Sequence, residues 1–418
     1  MADPYQYDGG VNHTYYVNVT LNPINLSIGQ AIIGTPTLYS GDIIVTTAGN
    51  LSYLDKFEYD KTKGSVIDIN ISTGKVLWRV NFPDQILTQP IVYNKMVFVG
   101  MGNSADVPNN TDRNGLDGIY AINLSDGQVN WGITTLGPDM TTPAIYDGLL
   151  IYPNIGYFYV INATTGLVER GFPTNLPDTL SSPLIYNGNA YFGAGYVNTS
   201  NSIIYPDTIH RFSFFDYNIS TGSISWQDNF SIAGGGLNDA CPVAFKNIII
   251  TAYLYNSTYK DPVIVALNRL NGSIEWSINE TAIADKINVV EPPIPNSGYN
   301  FTENSISPMV LYNGTVLSDS NYLGVMLAIN ATNGKVLWAF NTGQNEGAPN
   351  VIYGKYVIDI NDGGDLFILN IRNGTLVKEI QTNIPHLSAQ PIITKNYAVI
   401  AGLNGEILYF NLKNITGS

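Results

Sequence analysis

The feature that most constrains this chain is a short pattern that recurs along most of its length. In each copy an apolar run ends in Ala-Ile-Asn or a close variant, a tight turn containing Gly follows, and a short strand closes on Trp. Clear copies occupy residues 64–78, 118–131 and 324–338. Repetition on this scale is typical of folds in which similar units pack side by side. The repeat, rather than any single residue, therefore decides the fold.

A second recurring element precedes each Trp motif and consists of Pro, a few apolar residues, a turn and a β-branched run. Its eight copies begin at Pro36, Pro90, Pro143, Pro183, Pro242, Pro308, Pro349 and Pro391. Asn-Gly and Asp-Gly pairs between the runs supply the positive φ angles of tight hairpins. Each unit therefore holds four antiparallel strands. Eight such units without helices predict an all-β, eight-bladed β-propeller, with an open solenoid as the alternative.

The two ends of the chain indicate that the units close into a ring. The eighth unit stops where its outermost strand should begin, and the alternating segment 13–21 stands before the first unit. We predict that segment 13–21 supplies the missing outer strand of blade 8, which leaves no free sheet edge. Residues 1–12 are then a flexible N-terminus, residues 13–418 form a single propeller domain, and residues 277–307 are an insertion.

Composition restricts the partners and the location. The formal net charge is −14 and only 12% of the residues are charged, so self-repulsion in strong acid stays modest. An acidic chain without a basic run is not expected to bind nucleic acid, and no apolar run is long enough to span a membrane. Many Asn-x-Ser/Thr sites, such as Asn18 and Asn109, predict a secreted or cell-surface glycoprotein whose signal peptide is absent from this chain. Asn- and Thr-rich composition alone is the alternative explanation of these sites.

Candidate functional residues lie on the face where the long loops open. These loops join each outer strand to the next inner strand, or join the two middle strands, so they share one face of the propeller. Residues just before each inner-strand Pro should ring the mouth of the central channel. They are Thr35, Gln89, Thr142, Ser182, Cys241, Ser307, Ala348 and Gln390. Gln89 and Gln390 are therefore predicted to bind substrate.

The only cysteine, Cys241, ends a glycine-rich loop. Gly235 and Gly236 allow a ligand to approach the backbone closely, and Asn238 adds an amide. In extended backbone Asp239 and Cys241 point to the same side, so a carboxylate and a sulfur can share one pocket. We predict catalytic thiol or sulfur-transfer chemistry with Asp239 as base. The alternative is that Cys241 is a small buried hydrophobic residue.

Other candidates carry less information. Glu346 holds the equivalent position before blade 7, where it is either a second acid/base group or a solvated loop residue. The three histidines are isolated and make no metal spacing, so no metal ligand is predicted. Residues 112–117 resemble a fragment of a calcium loop, for which an Asx-rich turn is the alternative. No cofactor is expected.

The repeat resembles that of the PQQ-like, quinoprotein-type propeller family, whose units carry Ala-x-Asp-x-x-Thr-Gly-x-x-x-Trp. Here Asn usually replaces the Asp, and Arg170 and Lys378 replace Trp in units three and seven. The Trp residues are predicted to pack blade against blade. Quinoprotein dehydrogenases carry adjacent cysteines, which one cysteine cannot provide, so bound PQQ is not expected. Bacterial outer-membrane assembly lipoproteins share the propeller but carry a lipidated N-terminal Cys, which this chain lacks.

The chain is also similar in architecture and composition to the secreted tetrathionate hydrolases of acidophiles, which suggests an acidophilic archaeal source. That resemblance implies hydrolysis of a polythionate S–S bond in acid, with Asp239 activating either water or the leaving group and Cys241 either accepting or steadying sulfane sulfur. A small anionic substrate requires cations at the mouth. The cations predicted there are Arg79, Arg113, Arg211 and Lys286. The alternative is a non-catalytic surface propeller that binds a protein or glycan through its long-loop face; self-association stays open in both cases.

Overall fold

The computed structural model describes residues 16–17, 20–50, 52, 63–102, 117–136, 141–154, 156–174, 181–195, 212–230, 241–254, 262–284, 309–320, 324–343, 348–385 and 389–417. Regular structure in these ranges consists of strands β1 to β33 and two short helices. None of the described helices has the length and apolar character needed to cross a bilayer.

The strands form eight four-stranded antiparallel blades, which confirms the predicted eight-bladed propeller. Blades 1 and 2 contain β3 (Thr37–Tyr39), β4 (Asp42–Thr46), β5 (Ser65–Asn70) and β6 (Val76–Asn81), then β7 (Ile91–Tyr93), β8 (Met96–Met101), β9 (Gly118–Asn123) and β10 (Val129–Thr134). Blades 3 and 4 contain β11 (Ala144–Tyr146), β12 (Leu149–Asn154), β13 (Tyr157–Asn162) and β14 (Val168–Pro173), then β15 (Leu184–Tyr186), β16 (Asn189–Gly195), β17 (Phe212–Asn218) and β18 (Ser223–Phe230).

Blades 5 and 6 contain β19 (Val243–Phe245), β20 (Ile248–Leu254), β21 (Pro262–Asn268) and β22 (Ile274–Asn279), then β23 (Val310–Tyr312), β24 (Thr315–Ser320), β25 (Val325–Asn330) and β26 (Val336–Asn341). Blade 7 contains β27 (Val351–Tyr353), β28 (Tyr356–Ile360), β29 (Asp365–Asn370) and β30 (Leu376–Gln381), and blade 8 contains β31 (Ile392–Thr394), β32 (Tyr397–Ala401) and β33 (Glu406–Asn411). The first strands of neighbouring blades contact each other, for example β3 and β7, so they line the axis.

The turn after each first strand is a tight hairpin, as the Asn-Gly and Asp-Gly pairs predict. Positive φ angles occur at both central residues of such turns, for example at Asp147–Gly148, Asn187–Gly188 and Asn313–Gly314. Two positive φ angles in a two-residue loop twist the strands in the direction that the sheet requires. These hairpins and the Thr-x-Gly turns give the propeller one face of short connections, here called the tight-turn face.

The Trp residues join neighbouring blades, as predicted. Each Trp indole N–H donates to a backbone carbonyl of the next blade. The pairs are Trp78 to Leu124 (2.8 Å), Trp131 to Ala163 (3.2 Å), Trp226 to Arg269 (2.8 Å), Trp276 to Ala331 (3.1 Å) and Trp338 to Ile371 (2.9 Å). Where Trp is replaced, Arg170 donates to the Ile219 carbonyl in the corresponding turn of blade 4 (2.6 Å), and Lys378 donates to the Asn414 carbonyl in the helix that follows the third strand of blade 8 (2.9 Å). The replacement therefore keeps the hydrogen bond while it loses the ring.

Replacing Trp338 by Ala is expected to destabilise the protein by about 3–5 kcal/mol, because a buried aromatic ring and its hydrogen bond are lost together. The Trp338 ring lies over Gly374, where an added Cβ would come within 2.6 Å of it. Chemical denaturation of the variant measures the change. Leu337→Ala is the control, because Leu337 is 47% exposed on the same strand. Equal destabilisation by the two substitutions would contradict this role of the ring.

An N-terminal strand closes blade 8, as predicted, but its residues are not those expected. Strand β2 (Leu26–Ser27) pairs antiparallel with β33, with Leu26 opposite Ile407 and Ser27 opposite Glu406. The outer strand must lead directly into the inner strand of blade 1, so it has to come from the residues just before that crossover. Segment 13–21 lies too far upstream, and its assignment to the outer position is wrong.

The described part of segment 13–21 lies instead on the axial side of blade 8. Strand β1 (Tyr16–Val17) pairs in parallel with β31, the innermost strand of that blade. At the following turn the Leu21 N–H donates to the Asn396 side chain, and the Asn396 amide donates to the Leu21 carbonyl, both at 3.2 Å. The chain thus descends along the axial edge of β31 to the tight-turn face before it crosses to the rim.

Two short helices complete the described structure. Helix α1 (Thr281–Ala284) follows β22, and helix α2 (Leu412–Thr416) follows β33. Residues 277–279 of the predicted insertion belong to β22, so the insertion begins after Asn279. Its residues 285–307 lie outside the described residues, as do residues 1–12.

Candidate functional site

The residues that precede the inner strands form a buried polar ring, here called the axial ring. Its described members are Thr35, Gln89, Thr142, Ser182, Cys241, Ala348 and Gln390. All are buried except Thr142, which is half-buried. The fold positions them because each follows a long-loop connection and precedes the Pro that starts an inner strand. Ser307, the eighth predicted member, lies outside the described residues.

Hydrogen bonds join members of the axial ring from blade to blade. The backbone N–H of Gln89 donates to Thr142 Oγ1 (3.2 Å), and the N–H of Thr142 donates to Ser182 Oγ (3.0 Å). The N–H of Gln390 donates to Thr35 Oγ1 at 2.9 Å, which joins blade 8 to blade 1. A hydroxyl at this position therefore has a structural role in closing the ring.

The two ring glutamines also use their side-chain amides between blades. Gln390 Nε2 donates to the Asn350 carbonyl at 2.8 Å, and Gln89 Nε2 lies 3.4 Å from Thr37 Oγ1. Gln89 is 6% exposed and Gln390 is 2% exposed. These contacts give both glutamines a structural role between blades. Their role in substrate binding stays a prediction.

Cys241 lies in the axial ring at the entrance to blade 5, as the sequence places it. Its side chain is 9% exposed and belongs to an apolar cluster that also contains Val17 of the N-terminal strand and Ala389 before blade 8. Burial among apolar groups favours the neutral thiol over the thiolate. The site therefore needs a nearby base or cation if the sulfur is to react.

Most other predicted site residues lie outside the described residues. They are Gly235, Gly236, Asn238, Asp239, Glu346, Arg113, Arg211 and Lys286. Arg79 is described, and it lies within β6, the outermost strand of blade 1, with its side chain exposed. The structure therefore does not bring Arg79 to the channel mouth, because the outer strand is the one farthest from the axis.

Sequence reasoning missed a group of buried carboxyls between blades 5, 6 and 7. Asp319 on β24 is fully buried, and its Oδ2 accepts hydrogen bonds from the backbone N–H (3.1 Å) and the side-chain amide (2.7 Å) of Asn350. Burial raises the pKa of Asp319 well above its ordinary value, and nearby Asp359 and Glu280 raise it further. Asp319 therefore holds its proton to a higher pH than an ordinary aspartate does.

The signal for this group is present in the sequence. Asp319 and Asp359 each interrupt an apolar second strand, in Thr-Val-Leu-Ser-Asp-Ser and Tyr-Val-Ile-Asp-Ile. A carboxyl at an alternating position of a buried strand must face the interior. Reading the second strands for acids, as well as the loops, would have found it.

Residues 112–116 of the predicted calcium-loop fragment lie outside the described residues, and the described residues give no support for a calcium or quinone site. They contain no group of three or more His, Cys, Asp or Glu placed to hold a metal ion. Cys241 is the only cysteine of the chain, so the adjacent cysteine pair implied by the quinoprotein resemblance cannot form. No step of the proposed chemistry is therefore assigned to either group.

Comparison with known proteins identifies the repeat. The family described as outer membrane protein assembly factor BamB (PQQ_2) matches residues 29–204 and 212–415. Two tetrathionate hydrolases are similar in sequence. The protein of Acidianus ambivalens is 26% identical over 93% of this chain and 74% of its own length, and that of Acidithiobacillus ferrooxidans is 25% identical over 83% and 69%. The assembly factor BamB of Yersinia pestis is 21% identical over 83% of this chain and 80% of its own length.

Solved structures share the fold at low sequence identity. BamB from Moraxella catarrhalis superposes with a TM-score of 0.62 at 14% identity, covering 94% of this chain and 98% of that one. The quinohemoprotein alcohol dehydrogenase of Comamonas testosteroni gives a TM-score of 0.64 at 13% identity, covering 90% and 71%. At these identities the likeness describes the architecture alone.

Proposed function

Because the chain belongs to the family described as outer membrane protein assembly factor BamB, whose repeat is PQQ-like, and is similar to two tetrathionate hydrolases, we propose that it hydrolyses a polythionate S–S bond. The reaction is placed on the long-loop face of an extracytoplasmic propeller working in acid. The single observation that carries the proposal is the similarity to two tetrathionate hydrolases along 93% and 83% of the chain.

Two features of the chain support an acidic, extracytoplasmic setting. Only 12% of its residues are charged, so protonation of the carboxylates leaves a modest positive charge. Asp319 is a buried carboxyl whose pKa is raised, so that acid leaves it neutral and compatible with burial. Secretion, glycosylation and an acidophilic archaeal source belong to the same proposal.

In the proposed mechanism Asp239 takes one proton from water, and the second proton goes to solvent. The water oxygen bonds to a terminal sulfonate sulfur, the adjacent S–S bond breaks, and its electron pair leaves on the remaining three-sulfur fragment. Glu346 then takes the proton of the Cys241 thiol, whose sulfur bonds to the terminal sulfane sulfur of that fragment. The S–S bond to the rest of the fragment breaks, thiosulfate leaves with the electron pair of that bond, and a Cys241 persulfide remains. Glu346 is a second acid/base group. Gly235, Gly236 and Asn238 hold the substrate, together with the cations Arg113, Arg211 and Lys286.

The test is tetrathionate consumption at acidic pH by the wild-type protein and by two variants. Asp239→Asn and Cys241→Ser are each expected to reduce kcat by about 10²-fold or more, since each removes a group that takes part in bond making. Asp126→Asn is the matched control, because Asp126 is exposed in a turn on the opposite face. No activity in the wild type, or full activity in both variants, would remove the proposal.

A second candidate function is non-catalytic binding of a protein partner through the long-loop face. The family description and the similarity to three proteins named as outer membrane protein assembly factor BamB favour it. A wild-type protein that consumes no tetrathionate but retains a defined protein from its native extract, with loss of that capture when residues 285–307 are deleted, would favour this function over hydrolysis.

A further inference from the structure

Two blades carry a carboxyl at a position where five of the other six blades have a small or apolar residue. Asp68 on β5 and Asp216 on β17 lie opposite Trp78 and Trp226 in the ladder. The corresponding residues of blades 2, 3, 5, 6 and 7 are Ala121, Val160, Ala266, Ala328 and Ile368, and blade 8 has Tyr409. The two carboxyls therefore face equivalent gaps between blades, and the two gaps can be compared directly.

The gap between blades 4 and 5 supplies partners for its carboxyl. The Asn189 amide donates to Asp216 Oδ1. The Tyr191 hydroxyl and Arg269, from the outer turn of blade 5, lie close enough to lower the pKa of Asp216. An amide thus binds one oxygen of this buried acid, and a hydroxyl and a guanidinium lie beside it.

The gap between blades 1 and 2 lacks all three partners. By strand register, Asp42 stands where blade 4 has Asn189, and Ile44 stands where it has Tyr191. Leu124 stands where blade 5 has Arg269, because its carbonyl accepts the Trp78 indole N–H as the Arg269 carbonyl accepts that of Trp226. Asp68 is 4% exposed, yet its Oδ1 accepts no hydrogen bond from any described residue. The groups that do contact the carboxyl are the Ile69 amide and the Trp78 indole.

A cavity occupies the space that Arg269 fills in the other gap. It has a volume of about 430 Å³, opens on the tight-turn face and is lined by Asp68, Asp42, Tyr39, Lys95, Leu77 and Ser125, among others. Burial and the neighbouring Asp42 raise the pKa of Asp68 to about 7. The charged groups that line the cavity are thus two carboxyls and one ammonium, Lys95, which does not contribute to the shift at Asp68.

We propose that this cavity binds an organic cation with N–H donors, a guanidinium group above all, in the place where blade 5 supplies its own arginine. Asp68 Oδ1 accepts a hydrogen bond from the ligand, and Asp42 contributes a second negative charge at the mouth. Tyr39 and Leu77 contact the apolar part of the ligand. The site lies on the face opposite the proposed catalytic loops and requires the ionised form of Asp68, so it acts near neutral pH and does not depend on polythionate hydrolysis in acid.

Both sources of a guanidinium fit a cavity of this size. A free small molecule can enter whole, or a partner protein can insert an arginine side chain. Calorimetric titration with agmatine and with N-acetyl-arginine amide distinguishes a free ligand from an arginine side chain. Only N-acetyl-arginine amide carries peptide groups on both sides of its Cα, as an arginine within a protein does. Binding of agmatine alone assigns the site to a free ligand, and binding of both assigns it to an arginine side chain as well.

The decisive experiment is titration of the full chain with methylguanidinium at pH 8 and low salt. Saturable binding with a Kd of about 1 mM is expected, weakened about tenfold or more in Asp68→Asn and lost in Leu124→Arg, which supplies the arginine that blade 5 has. Binding should also weaken at pH 5, because a proton then occupies Asp68. Methylurea, which is neutral, and tetramethylammonium, which has no N–H, are the control ligands.

Four outcomes would overturn the proposal. They are no binding of methylguanidinium by the wild type, equal affinity of the wild type and Asp68→Asn, equal binding of methylurea, and unchanged binding in a Leu124→Arg variant that keeps the wild-type Tm. Lys95→Ala tests whether Lys95 occupies the cavity itself. If Lys95→Ala binds methylguanidinium at most a few fold more tightly than the wild type, the result supports the proposed site. If the wild type does not bind methylguanidinium and Lys95→Ala has a lower Tm, the cavity is assigned to the Lys95 side chain instead.

Discussion

A variant that begins at residue 34 is expected to lose the cooperative unfolding transition of the full chain. It lacks strand β2 and the buried residues Leu26 and Ile32, which are 8% and 1% exposed. It also lacks the Ile28 N–H that donates to the Gly405 carbonyl at 2.7 Å. Blade 8 then has three strands, and β33 presents an unpaired edge that can join another chain. Calorimetry and size-exclusion chromatography should show a broad transition and self-association.

The matched control is a variant that begins at residue 22. It keeps β2 and the crossover into blade 1. Of the described contacts it loses β1, the buried side chains of Val17 and Leu21 and the Leu21–Asn396 hydrogen bonds. Its Tm should fall while a single sharp transition remains, because the ring is still closed. Identical behaviour of the two truncated proteins would contradict the assignment of ring closure to β2.

The second large effect concerns pH, because the folded protein should be more stable near pH 4 than near pH 8. Burial raises the pKa of Asp68 to about 7 and that of Asp216 to about 6, from 3.8, and raises that of Asp319 well above its ordinary value. A raised carboxyl pKa means that the folded state holds the proton more tightly than the unfolded state. The resulting stabilisation is complete below the unfolded pKa and is lost as the pH rises through 6 and 7.

The measurement is Tm as a function of pH for the wild type, Asp68→Asn and Asp319→Asn. The wild type should gain about 3–6 °C between pH 8 and pH 4.5. Each variant should show a smaller gain, because an amide stays neutral at every pH in this range. The amide oxygen introduced by Asp319→Asn can still accept a hydrogen bond from Asn350. Asp126→Asn is the control at an exposed position. A wild-type Tm that falls steadily between pH 8 and pH 4.5 would contradict the raised pKa values.

The fold can be predicted from the sequence because its information is repeated eight times. The Pro element, the Asn-Gly turns and the Trp motif agree in each unit, so local preference and long-range packing point to one architecture. The outer strand of blade 8 is the exception, because segment 13–21 alternates as a strand should, whereas Leu26–Ser27 contributes only two paired residues. Its position is set by the geometry of the crossover, which no local pattern records.

The candidate site is predictable in a different way. The position of Cys241 in the axial ring follows from the spacing of the Pro residues, and the structure places it there. The same spacing predicts that the ring hydroxyls surround the channel mouth, but the structure uses Thr35, Thr142 and Ser182 to accept backbone N–H groups from neighbouring blades. Asp68 escapes sequence reasoning because a carboxyl that replaces a small or apolar residue in two copies of a repeat is conspicuous only when the copies are aligned by strand register.

The closure of blade 8 has a consequence for how the polypeptide is made. Leu21 meets Asn396, a residue 375 positions later, and β2 meets β33 near the other end of the chain. A nascent polypeptide can stack its earlier blades in order as they leave the ribosome, yet β1 and β2 must wait until blade 8 has emerged. The circle can therefore be sealed only after β33 has been made, and every shorter nascent chain is an arc with two exposed ends.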